Sequence, residues 1–343
     1  MMIPFLHEVS EQPAALRDLV AFYRGDGLPL LHQWRQWARE AGQVTFCGSG
    51  TSEHTPHVAL QAMAEARVYA ESLDAGELLH YPRPLPGGLA LVSQSGESVE
   101  ARQLAVRHAG AQLLAITNNL DSTLGRSAGL VLPMCGGIET TITTKTYSNS
   151  LALCVLLARM LQGIEAARET LDQLDALAAV LGDVDIEGIE RAADLLADAR
   201  GLHMIARGPS LAGARQAALT FMEGTRISAT AFPAGSFRHG PFELADATHR
   251  CLIFLPAAGR THGLLAGMAA ELAAKGSRVI VFTDGAIDLP AESCQRLRVP
   301  AAPELLFPLA AAITQERLLE ALARRRGLEA GVFRYSGKIT LTE

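Results

Sequence analysis

The run Leu89-Ala-Leu-Val92, closed by Ser93-Gln94-Ser95-Gly96-Glu97-Ser98 and followed by a helical segment from Ser98 to His108, decides the fold. A short apolar run ended by small and hydroxyl residues reads as a buried parallel strand, and the segment behind it as a crossover helix. Working outward, Val44-Thr-Phe-Cys47 is a strand closed by Gly48-Ser49-Gly50, with helical periodicity from His54 to Ala66. Gln112-Leu-Leu-Ala-Ile116 ends at Asn118-Asn119, and Leu130-Val-Leu132 is stopped by Pro133. Such alternation implies right-handed βαβ crossovers and a parallel sheet covered on both faces.

The same order recurs downstream. Leu202-His-Met-Ile-Ala206 precedes Gly208-Pro209-Ser210 and a helix to about Gly224. Cys251-Leu-Ile-Phe-Leu255, Arg278-Val-Ile-Val-Phe282 and Leu297-Arg-Val299 follow, with helices running through Lys275 and to about Arg325. Gly50 aligns with Gly208, Ser52 with Ser210 and Glu65 with Glu223 at one offset, and Thr117 aligns with Thr283 at a slightly larger one. The pattern is the duplication of a whole domain, not a short solenoid repeat.

Composition narrows the function. The chain has 343 residues, room for about two domains. Thirty Lys+Arg against 36 Asp+Glu leave a net charge of −6, which argues against a long polyanion as partner. Aromatics make up 5%, too few for base-stacking platforms. Cys47, Cys135, Cys154, Cys251 and Cys294 are odd in number and scattered, the usage of a reduced, cytoplasmic chain. The start of the chain has no signal-length apolar run, and the apolar stretches around Leu151–Leu157 and Leu305–Ile313 are too short to span a bilayer. No membrane partner is expected.

Ligands of open parallel sheets bind at the carboxyl ends of strands, beside helix N-termini. Two such ends here carry Gly50, Thr51, Ser52 and Ser93, Gln94, Ser95, Ser98. Hydroxyls and glycines opening helices suit a phosphate, although Ser and Thr also serve simply as helix caps. Two adjacent loops favour an anion cradle over capping alone. No Gly-x-x-x-x-Gly-Lys-Ser/Thr occurs, and no Gly-x-Gly-x-x-Gly follows a strand, so neither a nucleotide P-loop nor a dinucleotide cofactor is expected. His54-x-x-His57 has metal-like spacing without a third ligand and reads as helix surface, so no metal is expected either. The equivalent loop of the second copy, Leu255-Pro256-Ala257-Ala258-Gly259, has no hydroxyls and is expected to have lost the phosphate.

Ser93-Gln94-Ser95-Gly96-Glu97-Ser98 after Gly50-Thr51-Ser52 resembles the phosphosugar motif of sugar isomerase (SIS) domains. The tandem arrangement, with Ala234-Gly-Ser-Phe-Arg-His239-Gly240-Pro241 and Lys338-Ile-Thr-Leu-Thr-Glu343, is similar to the isomerase part of glutamine–fructose-6-phosphate aminotransferases. The resemblance covers residues 30–343. It implies an α/β chain of two flavodoxin-like, three-layer αβα SIS domains with parallel sheets. The boundaries expected are a helical arm 1–41, a first domain 42–163, a helical spacer 164–190, a second domain 191–330 and a catalytic tail 331–343.

By the same resemblance, Thr51, Ser52, Ser93, Gln94, Ser95 and Ser98 hold the sugar phosphate and hydroxyls. Glu223 moves a proton between C1 and C2, His239 opens the ring from a neighbouring subunit, and Lys338 forms a Schiff base with the keto sugar. Thr220 and Ser236 stand where the family has a lysine and a glutamate, and Ile138–Lys145 is one residue shorter than the matching family segment. The family's glutaminase domain, with its cysteine after the initiator Met, has no counterpart after Met1-Met2, so glutamine hydrolysis is not expected. The expected function is an isomerase or deaminase of an aminosugar or ketosugar 6-phosphate, working as a homodimer with shared sites and without cofactor. A fructosamine-6-phosphate-type deglycase and a non-catalytic phosphosugar sensor are the alternatives.

Overall fold

A computed structural model of the chain describes every residue except Met1, Ser336, Leu341 and Glu343. The chain divides into two compact units: Glu11–Ala178 with Phe333–Glu343, here the first unit, and Met1–Ser10 with Ala179–Val332, the second. Three of the residues outside the description fall in the expected catalytic tail, two of them inside the Lys338–Glu343 motif.

The chain opens with α1 (Pro4–Arg24) and α2 (Leu28–Ala41). The first sheet follows in the order β1 (Gln43–Gly48), α3 (Thr51–His54), a 3₁₀ turn (Thr55–Val58), α4 (Leu60–Glu65), β2 (Tyr69–Asp74) and α5 (Ala75–His80). Then come β3 (Gly88–Ser93), α6 (Val99–Arg107), β4 (Gly110–Thr117), α7 (Thr123–Ser127), β5 (Ala128–Pro133) and α8 (Lys145–Gln162). Helices α9 (Ile164–Val180) and α10 (Ile186–Leu196) lead to β6 (Gly201–Ala206), α11 (Ser210–Thr225), β7 (Ser228–Pro233) and α12 (Ala234–Arg238). The chain continues through β8 (Arg250–Phe254), α13 (His262–Ala274), β9 (Arg278–Thr283), β10 (Cys294–Arg298) and α14 (Phe307–Arg325).

Each sheet has five strands, all parallel, ordered β2-β1-β3-β4-β5 and β7-β6-β8-β9-β10. The order is the same in both, which is the duplication seen in sequence. It reaches single residues: Gly50 and Gly208 both have positive φ, 57° and 55°. Thr117 and Thr283 each close a strand and accept a turn amide at Oγ1, from Asn119 at 3.2 Å and Gly285 at 3.1 Å. Their carbonyls each accept from the residue just after the next strand, Met134 and Val299.

Sequence reading supplies four strands per sheet; β2 and β7 are additional. Both are edge strands on which only Ala70 or Ala229 is buried, so they lack the apolar run that marks a strand covered on both faces. The expected helix from His54 to Ala66 is broken, because Pro56 forces a 3₁₀ turn between α3 and α4.

In the first unit, α2 buries Leu31, Trp34 and Ala38 at helical spacing. Trp34 Nε1 donates to the Leu157 carbonyl at 2.9 Å and Trp37 Nε1 to that of Ala111 at 3.0 Å. In the second unit, Arg324 and Arg325 at the end of α14 bond the Glu190 carboxylate at 2.7 and 2.8 Å, and Arg325 also bonds Asp194 at 2.6 Å. Those arginines therefore join α14 to α10. Among the described residues, no helix is long and apolar enough to cross a membrane.

Candidate active site

The first sheet reverses its order between β1 and β3, and at this switch point the loops after the two strands leave a crevice. The loops are those picked out in sequence: Gly48–Ser52 and Ser93–Ser98. Within the second, Ser93 Oγ accepts from the Gly96 amide at 3.1 Å and Ser95 Oγ from the Glu97 amide at 3.1 Å. A hydroxyl that accepts in this way keeps its own proton to donate. Ser98 occupies the N-cap of α6 but makes no side-chain cap bond. Capping therefore does not account for it.

Glu97 serves the scaffold. Its carboxylate accepts from the Thr123 amide at 2.5 Å and the Thr123 hydroxyl at 3.1 Å, at the start of α7. Gly96 has φ 63°, and a Cβ there would lie 2.0 Å from Ser122 Oγ, the N-cap oxygen that accepts from the Gly125 amide. Gly96→Ala is expected to cost about 1–3 kcal/mol, from the left-handed backbone together with the displaced cap. Thermal denaturation measures it; an unchanged midpoint would contradict the close approach.

The C-terminal segment of the first unit returns to this crevice. The Thr340 carbonyl accepts from the Val99 amide at 3.1 Å, taking one of the free donors at the start of α6. Two residues earlier, Lys338 Nζ lies 2.5 Å from Glu139 Oε2 and donates to the Thr141 carbonyl at 2.9 Å. The Glu139 side chain is 0% exposed and that of Lys338 19%. Glu139 Oε1 also accepts from the Thr144 amide at 2.9 Å, the Thr144 hydroxyl at 3.1 Å and the Thr146 amide at 3.1 Å; Oε2 accepts from the Thr146 hydroxyl at 2.7 Å. Such a set satisfies a buried carboxylate and fixes its direction. Beside it, Lys145 Nζ bonds Glu11 Oε2 and the Ile138 carbonyl, both at 2.6 Å.

Sequence reading did not count Glu139 as a site residue. Its signal was a lone carboxylate in Ile138-Glu139-Thr-Thr-Ile-Thr-Thr-Lys145, a run in which the fold buries Glu139, Thr141, Thr144 and Lys145. Asn118 was missed as well. Its amide group accepts from the Gly136 amide and donates to the Gly137 carbonyl, both at 2.7 Å, and so holds the loop leading to Glu139.

Other reactive groups near the crevice have plain roles. Burial, with Asp74 and Glu53 nearby, pushes the Cys47 thiol up to about 12, which removes thiolate chemistry. His57 Nε2 lies 2.9 Å from Glu53 Oε1, and His54 Nε2 lies 3.4 Å from Glu53 Oε2. Among the described residues, no group of three or more His, Cys, Asp or Glu is placed to hold a metal.

Glu223 and His239 belong to the second unit. Glu223 lies in the last turn of α11 and is half-buried. Thr220, where the resemblance led to the expectation of a lysine, is buried and turns its hydroxyl back to the Gln216 carbonyl at 3.0 Å, so it brings no charge. His239 is exposed at the end of α12, next to Gly240. Ser236 is exposed on α12, and its carbonyl accepts from the His239 amide at 3.0 Å. The second sheet's own switch point, between β6 and β8, is occupied by carboxylates: Asp284 Oδ1 accepts from the Ala257 amide at 2.7 Å and Glu304 Oε1 from the Arg260 amide at 3.2 Å. Their charges repel an anion there.

Residues 195–323 match the SIS domain family. The chain is 30% identical over 348 residues to a glutamine–fructose-6-phosphate aminotransferase (isomerizing) of Streptomyces coelicolor, a match covering 94% of this chain and 56% of that protein. The chain spans about half the length of the curated relatives it matches. The C-terminal domain of glucosamine-fructose-6-phosphate aminotransferase from Francisella tularensis has a similar structure, with a TM-score of 0.83 at 20% identity over 96% of this chain and 98% of that one. Glucosamine-6-phosphate deaminase from Thermotoga maritima is similar with a TM-score of 0.73 at 17% identity, over 99% of this chain and 100% of that one.

Proposed function

We propose, from the match of residues 195–323 to the SIS domain family, that the chain is a sugar-phosphate isomerase or deaminase acting on a glucosamine-6-phosphate- or fructose-6-phosphate-type substrate. The observation that carries the reading is the pair Lys338–Glu139 in the unit that holds both hydroxyl loops. The loops 50–52 and 93–98 take the phosphate and sugar hydroxyls through neutral donors and the start of α6. Lysine attacks a carbonyl only after losing a proton, and Glu139 Oε2, 2.5 Å from Nζ, is the group that receives it.

The substrate considered first is an aminosugar 6-phosphate. His239 of a neighbouring subunit opens the ring by moving the proton between the ring oxygen and the anomeric hydroxyl. Glu223 carries the C2 proton to C1 while one amine proton passes to the C1 oxygen, so that the aldehyde becomes a hydroxymethyl group and the C2 amine an imine. Lys338 displaces ammonia at C2 and forms its own imine, and water releases the ketose 6-phosphate. A dimer is required, and sedimentation showing an active monomer would contradict the assignment of His239.

The test is a panel of aminosugar and ketosugar 6-phosphates, with ammonia and ketose followed together and the reaction quenched with borohydride. Equal release of ammonia and ketose, with a reduced adduct on Lys338, is the expected result. Release of an intact amine with an aldose 6-phosphate would assign the deglycase reaction instead. Binding throughout the panel without product or adduct would identify a sensor.

A further inference from the structure

The residue preceding His239 is tied down in a way that its neighbours are not. Arg238 donates from Nη1 and Nη2 to the two carboxylate oxygens of Glu271, both at 2.8 Å, a planar fork that joins α12 to the last turn of α13. The same guanidinium lies 5.4 Å from the centroid of the Phe242 ring, and Lys275 Nζ, one turn beyond Glu271, lies 5.8 Å from that centroid. Thus both ends of the short segment from Arg238 to Phe242 are attached to α13.

Between these attachments the backbone makes few bonds. The His239 amide donates to Ser236, the Glu243 amide donates to the Gly240 carbonyl, and Gly240 has φ 132°. His239 itself is exposed. On the inner side, Phe237 is buried against His249, with rings 5.8 Å apart and 29° between planes, so α12 cannot roll while the core is intact. An isolated exposed ion pair contributes little. A bidentate one that also braces an aromatic ring sets direction, and a misplacement of about 1 Å of a catalytic group costs on the order of 10²-fold in rate.

We propose that the Arg238–Glu271 fork, with Phe242, is the positioning device that presents His239 for ring opening. The proposal rests on the reading of His239 given above. Arg238 acts only through its neighbour, so its removal affects the ring-opening step and no other.

Arg238→Met and Glu271→Gln are compared with the charge-swapped double variant Arg238→Glu/Glu271→Arg, and with His239→Asn. Each is assayed on a cyclising ketohexose 6-phosphate substrate and on its 5-deoxy analogue, which lacks the one hydroxyl its C2 carbonyl can close on and stays open. The expected result is a kcat about tenfold lower for each single variant on the cyclising substrate, with KM unchanged. The rate on the 5-deoxy analogue should stay at the wild-type level, and the swapped double should recover. Hydrogen exchange of residues 239–244, which needs no turnover, should quicken about tenfold in the singles and return in the swap. Single variants with wild-type rates and exchange, in a protein that His239→Asn does impair, would overturn the fork alone, as would equal losses on both substrates. A His239→Asn variant active on both substrates would overturn the ring-opening assignment and the fork's role with it.

Discussion

Lys338→Arg is expected to abolish the borohydride-trapped adduct and to lower turnover on the order of 10³-fold or more, while leaving the fold intact. The guanidinium preserves a cation for the buried Glu139 carboxylate but does not release a proton near neutral pH, so it cannot form an imine. Lys338→Ala should lose the same activity and also destabilise by about 1–3 kcal/mol, because Glu139 then keeps only its four threonine donors. The two variants separate chemistry from structure. Full turnover in Lys338→Arg would sink the imine mechanism, and equal melting temperatures for all three proteins would mean that the ion pair does not support the fold.

Acid should destabilise the second unit through His249. This side chain is buried between β6 and β9: Nε2 lies 2.9 Å from His203 Nδ1 and Nδ1 lies 3.0 Å from Ser277 Oγ. Burial, with His203 and Arg250 close by, lowers its titration to about 4, against an opposing pull from Asp246. His203 is also lowered by burial. The folded value lies below the ordinary 6.5, so the unfolded chain binds more protons between about pH 6.5 and 4. Stability present above pH 6.5 is therefore lost as the pH falls toward 4, by about 2–3 kcal/mol at pH 4.5 from His249 alone. Urea unfolding at pH 7 and 4.5 measures the difference, which His249→Gln should reduce by that amount. An unchanged difference in the variant would show that the charge is accommodated. Because Phe237 stacks on His249, loosening should begin at α12.

Much of the fold was legible because parallel strands buried on both faces are continuous apolar runs. Leu89–Val92 and Cys251–Phe254 are of this kind, and all eight side chains are buried. Edge strands β2 and β7 were not legible, since Tyr69-Ala-Glu-Ser-Leu-Asp74 carries the polarity of a surface segment. The hydroxyl loops could be read because Ser, Thr and Gly cluster locally where strand passes into helix. Glu139 could not, because nothing in its neighbourhood says that a carboxylate among threonines is to be enclosed.

By itself, the sequence determined the covered strands, their duplication and the two loops suited to an anion, all of them patterns within a few residues or between the two copies. Tertiary structure alone decided that Lys338 bonds Glu139, 199 residues away, and that the last residues belong to the first unit. It also decided that Asp284 and Glu304 occupy the second switch point. For Glu139 the physical reason is that a buried charge must have a partner, and in every case which partner a side chain meets depends on where the chain is brought back, not on its neighbours in sequence.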